Sequence, residues 1–140
     1  MRIGKERHPL TRPKVLVADD HPIVLDRVLS LLNPKFDVVG TANNGRDLLT
    51  EAERLQPDVI VLDITMPVLN GIEAAHRLHE VGSAAKLVFL TVHPQSEFVS
   101  ACFAEGGLGY VIKSRLGTDL IPAISEALSG HHFISPTTPR

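Results

Sequence analysis

Residues 58–71 read DVIVLDITMPVLNG. The first six decide the fold. Val59, Ile60, Val61 and Leu62 form an apolar run bounded by Asp58 and Asp63. Such a run is what a central strand of a parallel sheet looks like, because helices cover both of its faces. The loop behind it is unusual in composition, with Met66-Pro67 and then Gly71.

The same grammar extends in both directions. Upstream, Lys14–Asp19 (KVLVAD) is apolar and β-branched and reads as a buried strand. Pro22–Leu32 follows with Val24, Leu25, Val28, Leu29, Leu31 and Leu32 at helical spacing, and Pro22 suits the first helical position. Phe36–Ala42 alternates apolar and polar residues, the mark of an edge strand with one wet face. Asn43 or Asn44 caps the next helix, whose stripe is Leu48, Leu49, Ala52 and Leu55. Downstream, a helix from Gly71 to Val81 stops at Gly82. Lys86–Thr91 (KLVFLT) is a fourth strand, and a helix carrying Phe98, Val99, Cys102 and Phe103 stops at Gly106. Leu108–Lys113 (LGYVIK) is the fifth strand. The last helix starts near Thr118, holds Pro122 in or just past its first turn, and ends at Gly130. Five β-α units imply an α/β fold, a parallel sheet with helices on both faces and right-handed crossovers. Ligands of such sheets bind at the carboxyl ends of the strands.

Composition narrows the function. A chain of 140 residues is one domain. With 44% hydrophobic and 21% charged residues it is not intrinsically disordered. A net charge of −2 does not support nucleic-acid binding by overall charge. The single cysteine, Cys102, excludes an intrachain disulfide and fits a reducing compartment. No run approaches the ~20 apolar residues of a membrane span. Residues 1–12 carry Arg2, Lys5, Arg7 and Arg12 without a following apolar run, so they read as a short disordered lead-in and not as a secretory signal.

Four central strands deliver polar residues to one edge of the sheet: Asp19-Asp20, Asp63, Thr91 and Lys113. Any one of them has an ordinary explanation, as a cap or a solvated charge. Together they suit phosphoryl transfer. Three neighbouring carboxylates repel one another, and a hard divalent cation such as Mg²⁺ relieves that. Asp63 is then the nucleophile that forms an acyl phosphate, with Mg²⁺ and Lys113 neutralising the transferring group and the Thr91 hydroxyl donating to it. No G-x-x-x-x-G-K-[ST] motif is present, so a nucleotide is not the expected donor.

At these residues the sequence resembles the receiver domain of two-component response regulators, over roughly residues 13–130. The motifs are the acidic pair Asp19-Asp20, Asp63 with Met66-Pro67 and Gly71, Leu90-Thr91, and Gly109-Tyr110-Val111-Ile112-Lys113. The resemblance implies a flavodoxin-like doubly wound (βα)5 fold with five strands in the order 2-1-3-4-5. It implies that Asp63 takes a phosphoryl group from a sensor histidine kinase. Asp20, Asp63 and the backbone carbonyl of Thr65 would hold Mg²⁺, with Asp19 acting through water. Thr91 and Tyr110 would form the switch, the ring turning inward, and Lys113 would pair with the phosphorylated site. Such a protein is a self-phosphorylating cytoplasmic switch and not a turnover enzyme, and it can form a homodimer on phosphorylation. Ala18-Asp19-Asp20-His21-Pro22, Asn44-Gly45-Arg46 and Gly107-Leu108-Gly109-Tyr110 look like the LuxR- or FixJ-type (NarL-like) regulators. Residues 131–140 resemble the start of the linker to a DNA-binding output domain. That domain is not among these 140 residues, so direct nucleic-acid binding is not credited to them. Ser114 stands where many receivers have proline, and Val92 where a smaller residue is common. Thr65 and His93 occupy positions that influence how long the phosphoryl group survives.

Two other readings compete. A haloacid-dehalogenase-like phosphatase also uses a strand-end aspartate and Mg²⁺, but its acid/base aspartate would fall at position 65, which is Thr65. A binding-only pseudo-receiver would be expected to have lost part of the site, which is complete here. His76 and His79, three apart on a helix, lack a third metal ligand and read as surface residues. Cys102 lies on an apolar stripe and reads as core.

Overall fold

A computed structural model describes residues 11–92 and 96–136. Residues 1–10, most of the expected lead-in, His93, and residues 137–140 of the tail lie outside the described residues.

The apolar runs form parallel strands, as expected. They are β1 (Lys14–Ala18), β2 (Asp37–Ala42), β3 (Val59–Asp63), β4 (Lys86–Thr91) and β5 (Gly107–Ile112). Between them lie the helices α1 (Pro22–Leu32), α2 (Gly45–Leu55), α3 (Gly71–Glu80) and α4 (Ser96–Ala104), and α5 (Leu116–Leu128) follows the fifth strand. The strand order is β2-β1-β3-β4-β5-β6. The sixth strand, β6 (Phe133–Ile134), pairs in parallel with β5 and corrects the expectation of five strands. Two residues set between Gly130 and Pro136 are too few to show a strand period.

The period of two along each strand sorts the core into two layers. Leu16, Ala18, Ile60, Leu62, Phe89 and Tyr110 face the side packed by α2, α3 and α4. Val15, Val17, Val59, Val61, Val88, Leu90 and Val111 face the side packed by α1 and α5. Every residue of β3 is buried. With both faces covered, its terminal acid can point only along the carboxyl edge.

Local caps fix the helix starts. Asn44 accepts from the Asp47 amide, settling the choice between Asn43 and Asn44. Asn70 and Glu73 form a reciprocal capping box at α3. α5 begins two residues before Thr118, because Lys113–Arg115 wind into a 3₁₀ turn that feeds it. Pro122 therefore sits inside the helix, beyond its first turn. It removes the donor that the Thr118 carbonyl would otherwise receive.

Gly71 is needed for close approach. A Cβ there would lie 2.1 Å from the Asp63 carbonyl oxygen. The Gly71 amide donates to the Ile64 carbonyl at 2.8 Å, which pins the loop behind the strand end. Gly71→Ala is expected to destabilise the chain by about 1–3 kcal/mol, as overpacking does. Urea unfolding checks this, and a loss below ~0.5 kcal/mol, the range of a neutral surface change, would contradict it.

Candidate functional site

Asp19 and Asp20 follow β1, Asp63 ends β3, Thr91 ends β4 and Lys113 follows β5. The parallel register aligns these ends: Ala18 pairs with Leu62, Asp63 with Leu90, and Thr91 with Ile112. The structure thus brings Asp19, Asp20, Asp63 and Lys113 into one cluster, with Thr91 at the same edge. Asp19 and Asp63 are 1% and 2% exposed. Lys113 Nζ lies 3.1 Å from Asp19 Oδ2 and 3.0 Å from Asp63 Oδ2. The Thr65 amide donates to Asp63 Oδ1 at 3.3 Å. Thr91 is buried, and Thr65 is exposed on the loop.

Sequence reasoning assigned no role to His21, and the structure places it at the centre. Its amide donates to Asp19 Oδ1 at 2.8 Å. Its Nδ1 stands 3.0 Å from Asp19 Oδ1, 3.2 Å from Asp20 Oδ1 and 3.6 Å from Asp63 Oδ2. The signal available was position: a residue between an acidic pair at a strand end and a helix-starting proline must sit at the crevice.

Three carboxylates here face one ammonium. Burial pushes the Asp63 carboxyl above the usual carboxylate range, and the Asp19 charge adds to that shift. Lys113 and the Thr65 amide pull it back without cancelling it. Asp19 Oδ2, Asp20 Oδ1 and Asp63 Oδ2 are buried without a hydrogen bond. Lys113 approaches two of the three closely as an ion pair. Buried acceptor oxygens of like charge, aimed at one spot, fit a hard divalent cation such as Mg²⁺. Ligand atoms of Asp19, Asp20, His21 and Asp63 all lie within 4.8 Å of one another.

Tyr110 is 1% exposed and packs among Phe89, Cys102 and the partly buried α4 residues Phe98, Val99 and Phe103. Its ring is buried. Cys102 is core, and burial raises its thiol to about 12. His76 joins no metal cluster among the described residues; it bridges Glu105 at 3.0 Å and Glu80 at 3.3 Å on the surface.

The family model of the response regulator receiver domain matches residues 15–125. The chain belongs to this family. It is 35% identical over 123 residues to the nitrate/nitrite response regulator protein NarL of Escherichia coli, an alignment covering 86% of this chain and 57% of that one. It is 34% identical over 125 residues to the response regulator GacA of Pseudomonas aeruginosa, covering 88% and 58%. The receiver domain therefore spans less than two thirds of these curated relatives. A solved two-component response regulator of the LuxR family from Aurantimonas superposes with a TM-score of 0.82 at 33% identity, covering 90% of this chain and 91% of that one. The flavodoxin-like receiver fold follows from the architecture and from these likenesses together. No helix among the described residues is long and apolar enough to cross a membrane.

The raised carboxyl of Asp63 has a stability consequence. The folded receiver holds that proton more tightly than the unfolded chain, so the associated stability is present at acid pH and is lost as pH rises through the folded-state value. Asp63→Asn, without divalent ions, is expected to stabilise the receiver at pH 7 by about 0.5–2 kcal/mol, the usual size of a stabilising replacement. The advantage should shrink as acid protonates Asp63 in the parent. Denaturation curves across pH check this, and an advantage that grows in acid would contradict it.

Proposed function

We infer that Asp63 is the phosphoacceptor of this receiver and that its donor is the phosphohistidine of a sensor histidine kinase. The observation that supports this most is the arrangement around Asp63. A buried carboxylate of raised pKa has Lys113 Nζ at 3.0 Å and faces the unsatisfied oxygens of Asp19 and Asp20. In the transfer, an Asp63 oxygen bonds to phosphorus as the phosphorus–nitrogen bond breaks. The leaving imidazole nitrogen keeps the electron pair, and the product is an acyl phosphate. Lys113 neutralises charge on the transferred group, and the Thr91 hydroxyl donates to one of its oxygens. Mg²⁺ bound by Asp20, Asp63 and the Thr65 carbonyl, with Asp19 through water, would stabilise charge on the phosphoryl oxygens.

The phosphoryl group adds charge and strong acceptors, so it biases the position of Thr91 and of the Tyr110 ring. To carry a 1:99 equilibrium to 99:1 it must favour one state by about 5.5 kcal/mol. The chemistry is self-directed and single-turnover, so the domain acts as a switch and not as an enzyme. We place the receiver domain at residues 13–130, with residues 131–140 as the start of a linker whose Phe133–Ile134 pairs with β5. By likeness to NarL and GacA, the output it controls is a LuxR-type transcription regulator, with dimerisation accompanying phosphorylation. A cytoplasmic location fits that role.

Intact-protein mass after incubation with acetyl phosphate and Mg²⁺ tests the reading. One added phosphoryl group is expected, absent with a chelator and absent in Asp63→Asn. No gain in the folded parent chain would overturn it. A gain that survives Asp63→Asn would assign the nucleophile elsewhere.

A further inference from the structure

The sixth strand is held by a buried polar network that the phosphoryl-transfer site does not use. The Ser135 amide donates to the Tyr110 carbonyl at 2.8 Å. Its hydroxyl accepts from the Ile112 amide at 3.0 Å and donates to Asp119 Oδ2 at 2.6 Å. Ser135 is 2% exposed and Asp119 is 4% exposed. Arg115 Nε donates to the same Asp119 oxygen at 2.7 Å, and the Thr118 hydroxyl to the other at 3.0 Å. Burial works to raise the Asp119 carboxyl, but the hydrogen bonds from Arg115, Ser135 and Thr118 outweigh it and hold it below the usual range. A two-residue strand should fray unless something ties it down. Here one serine hydroxyl ties it to both β5 and α5.

The register shows what the strand covers. Tyr110 pairs with Ile134, and Gly109 with Phe133. Paired residues point to the same face of a sheet. Ile134 therefore lies on the Tyr110 side, toward α4, while Phe133 packs into the α5-side core. On the α4 side the His132 ring stacks on Phe103 of α4, with centroids 4.7 Å apart and planes within 10°. A Tyr110 ring swinging from its buried position toward the sheet edge would move toward Ile134, its neighbour in register.

We propose that residues 131–136 are a docking strand, latched by Ser135 and Asp119, which holds the Tyr110 ring inward. The inference rests on the reading of Asp63 as phosphoacceptor and of Tyr110 as its switch. Docking and phosphorylation then favour the same state, so each strengthens the other by linkage. The site at the strand ends thereby reaches the segment through which the chain leaves the domain. Ser135 and Asp119 are positioning residues and touch no reacting atom.

Hydrogen exchange on the full 140-residue chain tests this, with phosphoryl occupancy read by mass on the same samples. In the unphosphorylated chain, Ser135→Ala should speed exchange of the amides of residues 112 and 135 about tenfold, the size of a lost hydrogen bond. β1 and β2 should be unchanged. Unchanged exchange at Ile112 and Ser135 would overturn the latch. Acetyl phosphate with Mg²⁺ should slow exchange of the same two amides several-fold in the parent chain, and less in Ser135→Ala. Full occupancy with unchanged or faster exchange would overturn the coupling while leaving Asp63 as acceptor. Absence of any phosphoryl gain would overturn the acceptor reading and the coupling with it, and the Ser135→Ala comparison would still decide the latch.

Discussion

The ion pair of Lys113 with Asp19 and Asp63 is the interaction on which the site depends. It draws together residues from three different strand ends, with the ammonium about 3 Å from each carboxylate. One positive charge does not balance two buried carboxylates and a third beside them. Desolvation of such charges is costly, and Coulomb attraction repays it only with excellent geometry. The cluster therefore stays electrostatically incomplete, with three carboxylate oxygens lacking hydrogen bonds. That incompleteness favours a cation at the strand ends.

The sheet makes this arrangement affordable in geometry. Parallel strands buried on both faces expose polar groups only at their ends. Because these strands run parallel, the ends of β1, β3, β4 and β5 lie at one edge. The close approach of Gly71 to the Asp63 carbonyl lets the loop after β3 fold back tightly before α3 starts. The two core layers then hold the strand ends in register, so a displacement at the site is felt by packed neighbours. On one layer those neighbours include Tyr110 and α4. Beyond Tyr110 lies β6.

Much of this was legible in the sequence. Val59–Leu62 and Val15–Val17 are uniformly apolar, and uniform apolarity is what burial on both faces requires. Asp63 and the acidic pair stood out because charge at the close of a buried run has few structural uses. The less legible features depend on tertiary contacts. His21 caps α1 just before Pro22, and its ring meets three carboxylates, one of them on another strand. The start of α5 at Leu116 depends on the 3₁₀ turn at Lys113, which no periodicity marks. β6 is made by hydrogen bonds to β5 and by the Ser135–Asp119 contact, which spans 16 residues. No local pattern encodes that contact.

The most direct test of the account is an amide chemical-shift titration of the unphosphorylated receiver with Mg²⁺. A single saturable set of shifts centred on Asp20, His21, Asp63, Thr65 and Lys113 is expected, lost in Asp63→Asn. Shifts confined to other acidic surface, such as Glu51 and Glu53 on α2, or no saturable shifts at all, would contradict the claim that the strand-end carboxylates form a cation site.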